Sequence, residues 1–230
     1  MPKKIEISDK MKKINDDWQK YFHQTNKNDF AKIISWGHEY VVKNSPKNFK
    51  TTLEIGPGLG EHLNYEKLTT EQKDNYYGLE IRDNMAEEIK AKYPFVKLKI
   101  GDCQEKINLP DKSVDRIIAI HLLEHLENLE KFLKQARSIL SRKGVLLAVI
   151  PCEGGLGYSL GRSFTTKRMF EKRYKMPYRN FIQYEHPNTA SKVLKLIPKY
   201  FVIIDKKFYP LGAPLVDLNL VIGLKLAPKD

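Results

Sequence analysis

Only two cysteines, Cys103 and Cys152, occur in 230 residues. They are too few for a disulfide framework and lack the spacing of metal ligands, which fits a reducing compartment. No apolar run approaches the length that a bilayer crossing needs, and the opening MPKKIEISDKMKK has no apolar leader core. The expectation is a cytoplasmic protein with at most peripheral membrane contact. Acidic residues are also short, 28 against 40 Lys and Arg, which leaves a formal charge of +12 and a pI near 9.4. That excess fits an anionic partner such as a phosphorylated substrate, a membrane surface or nucleic acid; it fits equally lysines scattered over the solvent faces of helices. The length suffices for a single domain over residues 1–230 with a proper core, and composition says nothing of oligomeric state.

Glycine is sparse as well, but three of the 13 fall together in Thr51–Gly60, TTLEIGPGLG, where a short apolar run stops. Leu59, Leu63 and Leu68 then resume at helical spacing, so the pattern predicts a strand-to-helix turn. In an open α/β sheet that turn lies at the carboxyl end of a strand, where ligands bind and where glycine lets backbone approach them. A dinucleotide fingerprint needs a small residue at the sixth place of its glycine motif; Glu61 stands there. The spacing is G-x-G-x-G, and a tight turn without a ligand would also account for a glycine cluster.

Met11, Ile14, Trp18, Tyr21 and Phe22 share one face of a predicted amphipathic helix over 8–24, either a lid or an element docked on the core. A second helix is predicted over Asp29–Val42, capped by Asn28 or Asp29, with Phe30, Ile33, Ile34, Gly37 and Val41 on its apolar side. TTEQKDN reads as a polar loop before a strand Tyr76–Leu79 that ends at Glu80. A carboxylate about twenty residues beyond a glycine turn, at the next strand end, is placed to accept the ribose hydroxyls of an adenosine cofactor. A helix with Met85, Ala86 and Ile89 inward, a strand Phe95–Ile100, the turn Gly101-Asp102-Cys103 and a buried strand Val114–Ile120 follow. Leu126 to Leu140 read as one continuous helix face, Lys143-Gly144 as a turn, and Val145–Ile150 as the fifth strand.

Taken together, the glycine turn, Glu80, the Gly-Asp turn after the third strand and the blocks LEHL and L-x-x-x-G-V-L resemble class I S-adenosylmethionine-dependent methyltransferases of the type 11/12-like domain. The resemblance covers residues 51–150. It implies a doubly wound, Rossmann-like α/β fold with a seven-stranded, mostly parallel sheet, an antiparallel edge, a helical N-terminus at 1–50, a basic insertion at 151–187 and a closing helix and strands at 188–230. It further implies that Glu54, Gly56, Gly58 and Gly60 hold the methionine end of S-adenosylmethionine, Glu80 and Ile81 the ribose region, and Asp102 with Cys103 the adenine. S-adenosylhomocysteine is then the product.

Methyl transfer from a sulfonium is an in-line displacement, so alignment supplies much of the acceleration and a base is optional. His121, ending the fourth strand, is the candidate base, with a packing role under the cofactor as the alternative; His125 is a second candidate. His121, Glu124 and His125 also read H-x-x-E-H, similar to the E-x-x-E-H cluster of metal-using small-RNA and ubiquinone-pathway O-methyltransferases. The favoured expectation is nevertheless no metal. Beyond Pro151, Arg162, Lys167, Arg168, Lys172, Arg173, Lys175 and Arg179 are opposed there only by Glu153 and Glu171, and interleave with Phe164, Phe170, Tyr174 and Tyr178. Arg168, Lys172, Arg173, Tyr184 and His186 are the candidate substrate residues, for a small or lipid-linked anionic acceptor in preference to RNA. A catalytically silent cofactor-binding protein is the remaining alternative.

Overall fold

The computed structural model describes residues 10–15, 17, 18, 21, 31–156, 158, 159 and 166–229. Phe22, Asn28, Asp29, Phe30, Arg162 and Phe164 lie outside them. Seven strands, β1 (Thr52–Ile55), β2 (Tyr76–Glu80), β3 (Lys97–Ile100), β4 (Val114–Ile120), β5 (Leu140–Pro151), β6 (Phe201–Tyr209) and β7 (Val221–Pro228), form one sheet in the order β3-β2-β1-β4-β5-β7-β6. The first five run parallel, and β7 lies antiparallel between β5 and β6. The strand order reverses direction between β1 and β4, which opens the ligand crevice of a doubly wound sheet at their carboxyl ends.

Helices cover both faces because the central strands are apolar on both. One face packs Leu53, Ile117, Ala119, Leu146 and Ala148 against α4 (Leu129–Ile139) and α7 (Ala190–Leu196). Leu129, Phe132, Leu133, Ala136 and Ile139 recur at three- and four-residue spacing, so one stripe of α4 is buried. Full burial of such side chains stabilises by about 1.5–3 kcal/mol each. The other face packs Ile118, Leu147 and Val149 against α1 (Ala31–Asn44) through Tyr40 and Val41. Here Gly223 of β7 is required by close approach, since a Cβ on it would stand 2.6 Å from the Tyr40 ring, whose hydroxyl donates to Asp205 at 2.9 Å. Gly223→Ala is therefore expected to cost about 1–3 kcal/mol by overpacking, read in denaturant unfolding. Tyr40→Leu in the same chain should recover part of it; an alanine variant as stable as the parent would show that α1 yields freely.

Three predicted elements differ. The helix expected after the glycines is only a single 3₁₀ turn, Glu61–Asn64, with its His62 buried and 2.9 Å from Glu66. TTEQKDN is not a loop but α2 (Thr70–Asp74), nucleated by a capping box between Thr69 and Gln72. Leu140 opens β5 rather than closing α4. It pairs with Val114 while Val145 pairs with Arg116, so the intervening residues, Lys143-Gly144 among them, form an irregularity within a longer strand. The helix α3 (Asp83–Lys92) buries Ala86 and Ile89, while Met85, also expected inward, is half-buried.

After β5, α5 (Thr166–Tyr174) and α6 (Tyr178–Glu185) pack with the N-terminal residues into a separate apolar cluster of Met11, Trp18, Phe170, Tyr178 and Phe181. Trp18 meets the Phe170 ring edge-on at 5.2 Å, and Phe170 stacks on Phe181 at 4.6 Å. The described N-terminal helical residues therefore dock on α5 and α6. No described helix is long and apolar enough to cross a membrane.

Candidate active site at the strand ends

Gly56, Gly58 and Gly60 all have positive φ, at 65°, 58° and 76°, so the turn after β1 uses the conformation that glycine adopts without a Cβ penalty. They do not face the same way. Gly56 is exposed and Gly58 half-buried, whereas Gly60 is buried with the Tyr93 ring where its Cβ would be. The first two line the crevice and the third packs the turn onto α3. Glu80, buried at the end of β2, braces this turn: one carboxylate oxygen accepts from the Gly58 amide at 3.1 Å, the other from the Ile81 and Arg82 amides at 2.9 and 3.0 Å. Ile81 beside it is 61% exposed, an apolar surface at the crevice rim.

Asp102 follows β3 and accepts from the Gln104 amide at 2.8 Å, which shapes the turn. Cys103 is buried, and burial, with Asp102 nearby, pushes its thiol up to about 12, so it is inert as a nucleophile. Glu54 is also buried and takes the Tyr76 hydroxyl at 2.7 Å. Its carboxyl is held up by burial, against the pull of His62, Tyr76 and Arg116. Those neighbours belong to a polar network beneath the turn that the sequence reading missed. Arg116, fully buried, bonds Glu66 at 2.7 Å; His62 meets His38 at 3.3 Å, and burial holds His38 down to about 3, hence neutral. A lone arginine in the apolar strand VDRIIAI was the available signal.

The ends of β4 and β5 carry a second group. His121 has φ 50°, donates its amide to Val149 O at 2.8 Å, and places Nδ1 3.6 Å from a Glu124 oxygen. Burial pushes the Glu124 carboxyl up, but His121, His125 and His186 outweigh it and hold it below the ordinary range. His125, on the 3₁₀ turn Leu123–His125, is exposed and meets the His186 ring edge-on at 4.6 Å. Thus His186, expected in the insertion, joins the strand-end group, and Glu153 accompanies it at 2.9 Å.

The other candidate substrate residues divide. Arg168, Lys172 and Tyr184 are exposed. Arg173 is not available as assumed: it grips Asp17 with two bonds of 3.0 and 3.2 Å and lies over the Tyr21 ring, while Tyr174 also donates to Asp17. The basic segment is therefore opposed by Asp17 as well as by Glu153 and Glu171. Fork geometry favours an arginine for such a bidentate clasp.

A glycine turn clamped by a carboxylate from the next strand, at the point where a parallel sheet reverses its order, defines a nucleoside-binding α/β domain. Residues 53–148 match the family model described as a methyltransferase domain. A Mycolicibacterium smegmatis relative described as a probable S-adenosylmethionine-dependent methyltransferase is 28% identical over 102 residues, which are 44% of this chain and 38% of the relative. The chain thus spans well under half the length of that relative. Among solved structures, the PH0226 protein from Pyrococcus horikoshii OT3 superposes with a TM-score of 0.62 at 16% identity, over 91% of this chain and 99% of its own. The N-methyltransferase NodS from Bradyrhizobium japonicum WM9, in complex with S-adenosylhomocysteine, gives 0.59 at 10%, over 90% and 91%. Residues 53–148 are thus similar to a methyltransferase domain, and the described chain has the fold of solved methyltransferases such as NodS.

Proposed function

We propose that this protein transfers the methyl group of S-adenosylmethionine to an oxygen of a small or lipid-linked anionic acceptor, of the glycan or sugar-phosphate type, in the cytoplasm. The observation that carries methyl transfer is the clamp of Gly58 by Glu80 at the sheet's reversal point. The oxygen that holds only the Gly58 amide retains a lone pair, so the group can accept from a ribose hydroxyl. Gly56 and Gly58 lie where the methionine end would pass, Ile81 where an apolar ring face would rest, and Asp102 with the Cys103 amide where adenine would be read. The cofactor's sulfonium would supply an already activated carbon; the chain's part is to align it with an acceptor entering between β4 and β5. His121 stands there as the group that can take a hydroxyl proton.

The anionic acceptor is supported by the exposed cations Lys167, Arg168 and Lys172 on α5, whose outer face stays polar while Phe170 is buried. Replacing these three with glutamine should raise the acceptor's KM at least tenfold, by loss of about 1.4 kcal/mol or more of attraction, with the cofactor's KM unchanged and the difference erased by salt. Labelled cofactor offered to sugar-phosphate, lipid-linked and RNA acceptors is the assay. A steep salt slope in direct binding would select RNA. Tight S-adenosylhomocysteine binding with transfer to none of them would mark a silent cofactor-binding protein.

A further inference from the structure

We infer that Glu124, His125 and His186 form a binding site for one divalent transition-metal ion at the acceptor side of the crevice. A ligand atom from each lies within 4.8 Å of the others. Bonds of about 2.0–2.1 Å to nitrogen and oxygen require shorter separations than that, so the ligands would close on the ion by side-chain rotation.

What distinguishes this group from a surface cluster is the set of partners behind it. His125 Nδ1 is 2.8 Å from the Glu185 carbonyl, which can only accept, so that nitrogen carries the proton and Nε2 presents a lone pair. His186 Nδ1 is 2.9 Å from a Glu153 carboxylate oxygen, which fixes its ring in the same sense. An imidazole that donates its far N–H to a carbonyl or carboxylate while its near nitrogen stays basic is oriented as a metal ligand is. The third member points the same way: Glu124 is 2% exposed, and its Oε2 is buried without a hydrogen-bond partner. A carboxylate oxygen left so is costly unless a cation or donor meets it. Asn188 ties the two halves of the site together, donating to Leu123 O and Leu126 O at 3.0 and 2.6 Å on the turn that carries Glu124 and His125.

Two imidazoles and one carboxylate suit zinc, cobalt, nickel or ferrous iron better than magnesium or calcium. Three protein ligands leave positions for exogenous oxygen. Binding of the ion stands independently of methyl transfer; its use rests on that reading. An acceptor hydroxyl bound there would lose its proton, to His121 or to water, more readily. Its oxygen would then attack the methyl carbon as the C–S bond breaks, leaving the electron pair on a neutral thioether sulfur.

The test titrates the whole chain, stripped with chelator, with Co²⁺ as an absorbing probe and then with Zn²⁺ as competitor. One saturable equivalent with visible d–d bands, displaced by Zn²⁺, is expected. His186→Ala should weaken Co²⁺ binding at least tenfold, and Glu153→Gln, acting through His186, by about 10–100-fold. Circular dichroism checks both folds, and the exposed Glu127→Gln serves as control. Absence of a saturable equivalent overturns the inference, as does Co²⁺ binding unaltered in whichever of the two variants folds. S-adenosylhomocysteine calorimetry on the same sample separates the readings. Product bound without cobalt removes the ion alone, and cobalt bound without product removes the methyltransferase reading alone.

Discussion

Glu80→Ala should bind S-adenosylhomocysteine about 100-fold more weakly than the parent protein. That factor corresponds to about 2.7 kcal/mol, within the roughly 1.5–3 kcal/mol that a hydrogen bond to a charged group contributes. Two effects act together. The carboxylate is the expected acceptor for the ribose hydroxyls, and it also restrains Gly58, Ile81 and Arg82 by their amides. Removing it leaves three N–H groups to solvent and frees the glycine turn, so the loss includes a cost of ordering the turn on binding. Glu80→Gln divides the two: its carbonyl can keep the Ile81 and Arg82 amides, while its NH₂ group faces the Gly58 N–H and cannot accept from it. The glutamine variant should lie between alanine and parent. Calorimetry at fixed salt measures all three, and an alanine variant within twofold of the parent would falsify the ribose assignment.

The features of this site that could be read from the chain are those whose chemistry is local. Gly56 and Gly58 announce a turn because no other residue adopts positive φ cheaply, and Glu80 is placed by its distance from that turn and by the strand before it. The central strands are legible for the same reason, as apolar runs bounded by turn residues. Long-range pairing is what the chain conceals. Glu153 meets His186 across 33 residues, and Asp17 meets Arg173 across 156, so neither partner marks the other in sequence. Leu140 misled for a different reason: it continues the helical apolar stripe in register, and only its pairing with Val114 shows that the backbone has already become extended. The turn Glu61–Asn64 shows the same conflict, since Leu59, Leu63 and Leu68 keep helical spacing where the backbone forms only a 3₁₀ turn.

The largest stability effect should come from the network under the glycine turn. Arg116 projects from β4 into the layer beneath α1, with no exposed surface. Its Nε donates to Thr52 Oγ1 at 3.1 Å, its Nη1 to Ser45 Oγ and Glu66 Oε1 at 2.7 Å each, and its guanidinium lies 3.7 Å from the Phe49 ring centre. Nη2 is buried without a partner, so this cation depends on Glu66 for compensation. Burial pushes the Glu66 carboxyl up, but His62 and Arg116 outweigh it and hold it below the usual range. A carboxyl lowered in the folded state contributes stability above its unfolded value of 4.5, and loses that contribution as pH falls through the folded one. Glu66→Gln should therefore cost about 3–5 kcal/mol at neutral pH, the range for a buried pair broken on one side. It should also unfold with a shallower loss of stability between pH 5 and the acid limit than the parent, since the titrating group is gone. Glu54, whose carboxyl burial holds up, lies in the same network and can ionise in compensation, so adding Glu54→Gln should deepen the loss. The double replacement Arg116→Met with Glu66→Leu removes both charges and should recover most of the deficit, because a well-packed apolar pair is often as stable as the ion pair it replaces. Urea unfolding of the four chains across pH makes the comparison. A cost under about 1 kcal/mol for Glu66→Gln, in the range of exposed pairs, would mean that Arg116 is satisfied by Ser45, Thr52 and the Phe49 ring alone.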